Sequence, residues 1–175
     1  MPFNAPKVSK KGIEAGVYNA LCYCVLDIGM QESKFGVQHK MVIGWKLLDK
    51  TYDDGNNHSY HQTFSVKINP KSKLHELLSG WFMGEDVDWT EGEGFAKLLN
   101  RGCQLVLAPN ENGTIVVKTA MPYDAGDAYS KSEFFSFDDW AASGAGALPE
   151  FFNEPRNEWK KTFVENSLTY KEAVK

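Results

Sequence analysis

VQHKMVIGWKLLDK, residues 37–50, is a long stretch whose side chains alternate between two sets. One set is Val37, His39, Met41, Ile43, Trp45 and Leu47, and the other is Gln38, Lys40, Val42, Gly44, Lys46 and Leu48. Because successive side chains of a strand point to opposite faces, this pattern predicts a strand with one buried face and one face that carries lysines. The strand indicates a β-rich fold, and its lysine-bearing face raises the question of what that face contacts.

The composition is that of an ordinary globular domain. Of the 175 residues, 42% are hydrophobic and 24% are charged, and the longest apolar run, residues 21–26, is far too short to span a bilayer. No apolar segment follows Met1, so we expect no secretory signal. Three cysteines without framework spacing favour a reducing compartment, and we therefore expect a cytoplasmic protein.

The charge is unevenly distributed along the chain. The formal net charge is −4, which by itself argues against a nucleic-acid partner. Residues 1–84, however, carry ten Lys or Arg against seven Asp or Glu, whereas residues 119–175 carry six against ten. The basic excess therefore lies in the strand-rich first half of the chain.

Further strands are predicted on both sides of residues 37–50. Alternation predicts a strand over residues 16–29, followed by a loop over residues 30–36. The Asp-, Gly- and Asn-rich turn at residues 52–57 leads into a third strand, residues 58–68. Residues 103–109 and 114–121 are predicted to pair as a hairpin around an Asn-Gly turn.

One helix is predicted between the third and fourth strands. Its apolar residues at helical spacing are Leu74, Leu77, Leu78 and Trp81. Asn69 or Ser72 is suited to be its N-cap, because a short polar side chain accepts a hydrogen bond from the first helical turn.

This order of three strands, a helix and two strands is that of the OB-fold, a five-stranded barrel. Another small β-barrel or sandwich with helical insertions remains the alternative. We expect a flexible arm over residues 1–12, an OB-fold domain over residues 13–121 and an acidic extension over residues 122–175. Pro155 is suited to open a short amphipathic helix in that extension.

Four common catalytic or metal-binding motifs are missing from the sequence. GxxxxGK[ST], GxSxG, HExxH and paired CxxC are absent. His58 and His61 are three residues apart on a strand, where their rings point to opposite faces and cannot share a metal. We therefore expect a protein that is not an enzyme and that has no cofactor or metal.

The outer faces of the first three strands carry rings and cations in the combination that binds single-stranded nucleic acid. Aromatic rings stack on bases, and lysines neutralise the backbone phosphates. The candidate binding residues are Tyr23, Lys34, Phe35, Lys40, Lys46, Tyr52, Tyr60, His61 and Lys67. Gly44, between two of the lysines, leaves room for a nucleotide close to the backbone. A solvated face that only keeps the sheet soluble is the alternative explanation.

Four segments, in this order, resemble those of a family of small bacteriophage single-stranded DNA-binding proteins. They are GVYNALCYCVLDIGMQ, HKMVIGWKLLD, FSVKINPKSKLHELLSGWFMG and FAKLLNRGCQLVL, with a looser match at LPEFF. The matching positions, which look architectural, are Asp27, Gly29, Gln31, Trp45, Lys71, Ser72, Leu74 and Cys103. The resemblance covers about residues 13–121 and implies an OB-fold that coats single strands during phage DNA replication or recombination in the host cytoplasm.

We therefore expect a protein that binds single-stranded DNA independently of its sequence. The protein could also form a homo-oligomer. In the extension, the island EFFSFDDW is expected to contact replication or recombination proteins, or to fold back over the DNA groove. Its candidate partner-binding residues are Phe134, Phe135, Phe137, Asp138, Asp139 and Trp140. If the extension shields the groove, a chain that ends at Met121 should bind DNA more tightly. The alternative function is a protein-interaction or virion-associated β-barrel.

Overall fold

The computed structural model describes residues 13–53, 55–66, 71–83, 85 and 95–175. Its strands are β1 (Gly16–Ser33), β2 (Gly36–Thr51), β3 (Asn57–Ser65), β4 (Gly102–Pro109), β5 (Ile115–Pro122) and β6 (Glu133–Phe135). Its helices are α1 (Lys73–Trp81), α2 (Phe137–Ala142), α3 (Glu158–Asn166) and α4 (Leu168–Ala173), and 3-10 turns span Glu150–Asn153 and Pro155–Asn157. The predicted arm, residues 1–12, and the candidate Lys67 lie outside the described residues.

The strands form one sheet in the order β3-β2-β1-β4-β5, with antiparallel neighbours. The short strand β6 pairs with β1 in parallel. A mainly β fold with a helix between the third and fourth strands is therefore confirmed. The sheet is open, because no backbone ladder joins β3 to β5 in the part of the chain that the structure describes.

The first hairpin is longer than predicted. The predicted loop at residues 30–36 is wrong, because β1 and β2 remain paired until Ser33 faces Gly36, and only Lys34 and Phe35 connect them. Gly29 does not end the strand. It lies at a register shift with a φ of +72°, a conformation that glycine adopts at little cost, and its N–H donates to Oδ1 of Asp27 at 2.9 Å.

A second irregularity in β1 changes which residues face the inside. The register with β2 shifts between Cys22, which faces Trp45, and Cys24, which faces Gly44. Cys22 therefore packs in one core cluster and Cys24 in another. Strict strand alternation would place these two cysteines on one face of the sheet, but the bulge interrupts the alternation and places them on opposite faces.

The first core lies between the inner face of the sheet and α1. It contains the inward side chains of β2 that alternation predicts, namely Met41, Ile43, Trp45 and Leu47. From α1 come Leu74, Leu77, Leu78 and Trp81, which are all buried. Ser72 is the N-cap, and its hydroxyl accepts a hydrogen bond from the N–H of His75 at 3.0 Å. The predicted helix and one of its two proposed caps are confirmed.

The second core lies on the opposite face of the sheet, under residues 133–170. The sheet contributes Tyr23, Cys24, Leu26, Ile28 and Val42, and the C-terminal segment contributes Phe135, Phe137, Trp140, Phe152 and Val164. The C-terminal extension is therefore an integral layer of the fold. It is folded and packed where the sequence suggested a partly ordered tail.

Candidate nucleic-acid interface

A buried ionic network attaches the C-terminal segment to the sheet. Nζ of Lys160, a residue only 1% exposed, donates to Oε1 of Glu133 at 2.7 Å and to the hydroxyl of Tyr23 at 3.2 Å. The other oxygen of Glu133 accepts from Nη2 of Arg156 at 2.8 Å and from Nδ2 of Asn157 at 3.0 Å. The network fixes the position of α3 above β1, and hence the position of Arg156.

Tyr23 is part of this network through Lys160 and is not available to stack on a base. Its side chain does lie on the outer face of β1, but the residue is only 2% exposed because the C-terminal segment covers it. Its hydroxyl is hydrogen-bonded to Nε2 of His61, and burial raises its pKa well above the usual range. The expectation that Tyr23 is an exposed ring is wrong.

His61 is also covered. Its ring meets the edge of Trp159 in α3, with 5.3 Å between ring centroids and a 78° angle between their planes. Burial, together with the nearby ammonium groups of Lys160 and Lys46, lowers the pKa of His61 to about 3. At neutral pH the imidazole is therefore uncharged, and its Nε2 is hydrogen-bonded to the Tyr23 hydroxyl. His61 does not supply a cation to the surface.

Gly44 makes room for this imidazole, where the sequence suggested room for a nucleotide. A Cβ built at Gly44 would overlap Cδ2 of His61 and lie 2.9 Å from Cβ of Cys24. We expect Gly44→Ala to lower the free energy of unfolding by about 1–3 kcal/mol, as overpacking does in a filled core. Urea denaturation followed by circular dichroism would measure this. Gly146→Ala is the matched control, since a Cβ there meets nothing within 4 Å; equal effects of the two changes would contradict the prediction.

The other two tyrosines of the predicted site lie in different environments. Tyr60 points inward, where it stacks on Trp45 and its hydroxyl donates to Oε1 of Gln62 at 2.7 Å. Tyr60 is partly buried against the first core, and burial raises its pKa to about 12, so it is not an exposed ring. Tyr52 is 55% exposed and stacks on His58, with 3.8 Å between ring centroids. Of the three tyrosines in the predicted site, only Tyr52 is placed to meet a base.

Tyr52 borders a hollow with a volume of about 800 Å³, which we call the tyrosine hollow. Its lining residues are Leu21, Lys46, Leu48, Tyr52, Asn56, Asn57, Ser59, Ala128, Tyr129, Ser130, Lys131 and Arg156. Two tyrosines and three cations thus share one concave surface, and none of these lining residues is acidic. Tyr129, 75% exposed, offers a second ring.

The three cations of the tyrosine hollow differ in how their charge is balanced. Arg156 is paired with Glu133 and, through Nε at 3.2 Å, with Oε1 of Glu154. Nζ of Lys46 lies 4.3 Å from the ring centroid of Tyr23. Burial, and then the charge of Arg156, lower the pKa of Lys46, so an anion in the hollow would stabilise its charged form. Lys131 is exposed.

The remaining candidates of the first half lie outside this hollow. Lys34 and Phe35 form the exposed tip of the first hairpin, where Nζ of Lys34 lies 5.1 Å from the Phe35 ring centroid. Lys40 lies on the same face of β2 as Lys46 but at the other end of that face, opposite Ser65. The structure thus does not gather the predicted residues into one exposed site; of those that it describes, only Lys46 and Tyr52 line the tyrosine hollow.

The aromatic residues of the predicted partner-binding island are mostly internal. Phe135, Phe137 and Trp140 are buried in the second core, and Phe134 packs against the first. Asp138 and Asp139 are exposed in the first turn of α2, where carboxylates interact favourably with the helix dipole. The expectation that these rings present a surface to a partner is wrong, because they fill the core.

Sequence reasoning missed Tyr129, Lys131 and Arg156. All three belong to the extension, which looked separate from the sheet. One local signal was present: AYSK, residues 128–131, places a ring, a hydroxyl and a cation side by side within an acidic region. The same combination of side chains predicts nucleic-acid binding on the outer faces of the first three strands.

Two features are absent from the part of the chain that the structure describes. They contain no group of three or more His, Cys, Asp or Glu side chains placed to hold a metal ion. None of the helices that the structure describes is long and apolar enough to cross a membrane. No family model, curated protein or solved structure matches this chain.

Proposed function

We propose that this protein binds single-stranded DNA without sequence preference and without catalysis, and that the tyrosine hollow is its binding site. The observation that carries the proposal is the meeting of two exposed rings, Tyr52 and Tyr129, with the cations of Lys46, Lys131 and Arg156 in one concave surface. Rings that stack on bases beside cations that meet phosphates are the common elements of single-strand binding sites.

The same proposal includes an OB-like arrangement of the sheet. In a closed OB barrel the third and fifth strands are neighbours. Here Oε1 of Gln62 in β3 accepts from the N–H of Val117 in β5 at 2.9 Å, and the Tyr60 hydroxyl approaches the carbonyl of Ile115 at 3.1 Å. These side-chain contacts support the interpretation that the open sheet is an OB barrel whose last seam lacks a backbone ladder.

In cellular terms, we propose a role in phage DNA replication or recombination in the host cytoplasm, as the sequence resemblance implies. The net charge of −4 does not oppose this, because a local basic surface attracts phosphates over about 8–10 Å at physiological salt.

Binding of fluorescein-labelled oligo-dT, followed by anisotropy, tests the proposal. The double change Lys46→Ala, Lys131→Ala should weaken binding and reduce the slope of log K against log salt by about 1.4, since each phosphate contact on a single strand contributes about 0.7. Tyr129→Ala should cost about 1–3 kcal/mol of binding free energy, as expected for one stacked base. Lys118→Ala, an exposed lysine of β5 outside the hollow, is the control.

The alternative function, a protein-interaction or virion-associated barrel, predicts a much weaker salt dependence. Binding through exposed rings to another polypeptide responds weakly to ionic strength, whereas phosphate binding falls steeply between about 50 and 200 mM salt. If the parent chain does not bind oligo-dT at low salt, or if the Lys46, Lys131 double variant binds like the Lys118 variant, the proposal is wrong.

A further inference from the structure

A second basic hollow lies between the end of β3 and the start of α1, away from the tyrosine hollow. Its volume is about 410 Å³. It is lined by Lys40, Gln62, Thr63, Phe64, Ser65, Lys71, Ser72, Lys73 and Leu74. Three lysines therefore face one concave surface, and no acidic side chain is among these lining residues. We call it the lysine hollow.

The outer face of β3 connects the two hollows. Ser59 borders the tyrosine hollow and Ser65 borders the lysine hollow, and both lie on the same face of the strand, six residues apart. At about 3.3 Å per residue the separation is about 20 Å. At the spacing of about 3.4 Å per nucleotide found in a stacked strand, about six nucleotides would span it.

The surface between the hollows carries groups suited to a nucleic-acid strand. Thr63 is exposed on the outer face of β3 and offers a hydroxyl. Trp159 in α3 rests against His61, midway along the strip, and is 38% exposed. An indole held at its edge by a neighbouring ring is positioned to stack on a base.

We infer that a bound single strand runs from the tyrosine hollow along the outer face of β3, past Trp159, to the lysine hollow. This inference rests on the proposed function and adds the path and the footprint of the strand. The lysines of the lysine hollow are positively charged, so we expect them to bind the phosphates of this same strand. Once a strand is bound in one hollow, its contact with the second hollow is intramolecular and adds to the affinity. The affinity should therefore rise steeply once the strand is long enough to reach both hollows.

A length series tests the path. Oligo-dT strands of about 4 to about 16 nucleotides, the range of site sizes known for such folds, would be titrated into the whole chain and into a Lys40→Ala, Lys73→Ala double variant. With the shortest strands, the two proteins should differ by no more than about twofold, because one hollow suffices to hold them. With the longest, the variant should bind at least about fivefold more weakly and show a salt slope lower by about 1.4.

Trp159→Ala should follow the same pattern, with a loss confined to strands longer than the threshold. A circular dichroism melt of each variant confirms that it is folded. If the Lys40, Lys73 variant weakens binding equally at every length, or at none while the Lys46, Lys131 variant weakens it, the path is wrong and the proposed function stands. If the parent chain binds no strand of any length, the proposed function fails and this inference fails with it.

Discussion

A chain that ends at Met121 should not fold cooperatively. In the full chain, residues 133–170 cover one face of the sheet and bury Tyr23, Cys24, Leu26, Ile28 and Val42. Complete burial of one large apolar side chain stabilises a protein by about 1.5–3 kcal/mol, so exposing this whole face costs about as much as the total stability of a typical domain, about 5–15 kcal/mol. The truncated sheet would also expose a large apolar patch, which favours aggregation.

Thermal and urea unfolding, followed by near-ultraviolet circular dichroism, would measure this effect. The truncated chain should lack a cooperative transition, and size-exclusion chromatography should show aggregated or expanded species. A chain that ends at Ala173 is the control, because it loses only the exposed Val174 and Lys175. A cooperative transition in the Met121 chain, with DNA binding tighter than in the parent, would instead support a shielding tail.

The sequence predicts the succession of strands along the chain, the helix α1 and the inner face of β2, because these depend on local patterns. Alternation in residues 37–50 places Met41, Ile43, Trp45 and Leu47 inside without reference to any other segment. Helical spacing and a serine cap do the same for α1, and the Asn-Gly turn does so for the β4–β5 hairpin.

The candidate site is less predictable, because it depends on which distant segments meet. Alternation correctly places Tyr23 and Lys46 on the outer face, but it does not show that α3 and β6 cover most of that face. The bulge between Cys22 and Cys24 also changes the parity of β1, and alternation carries no sign of it. Tyr129 and Arg156 reach the hollow only because the extension docks, so no pattern within β1–β3 could predict them.

The ionic network at Glu133 explains how the extension docks in one position. The carboxylate of Glu133 is buried and accepts hydrogen bonds from Lys160, Arg156 and Asn157. Removal of one partner from a buried ion pair leaves an uncompensated charge, which costs far more than the loss of an exposed pair. Replacement of both partners by apolar groups avoids that cost, so the pair is expected to fix the geometry more than to add net stability.

Glu133→Ala should therefore lower the free energy of unfolding by about 3–5 kcal/mol, because Lys160 is left buried without its carboxylate. Urea denaturation at neutral pH measures the change. The double variant Glu133→Leu, Lys160→Met should recover much of the loss, and Glu154→Ala, which removes the exposed partner of Arg156, should change the free energy of unfolding far less than Glu133→Ala does. Equal losses in the Glu133→Ala and Glu154→Ala chains would mean that hydrophobic packing alone holds the extension. A large loss that the double variant relieves would show that this carboxylate sets the position of α3, and with it the positions of Arg156 and Trp159 on the proposed DNA-binding face.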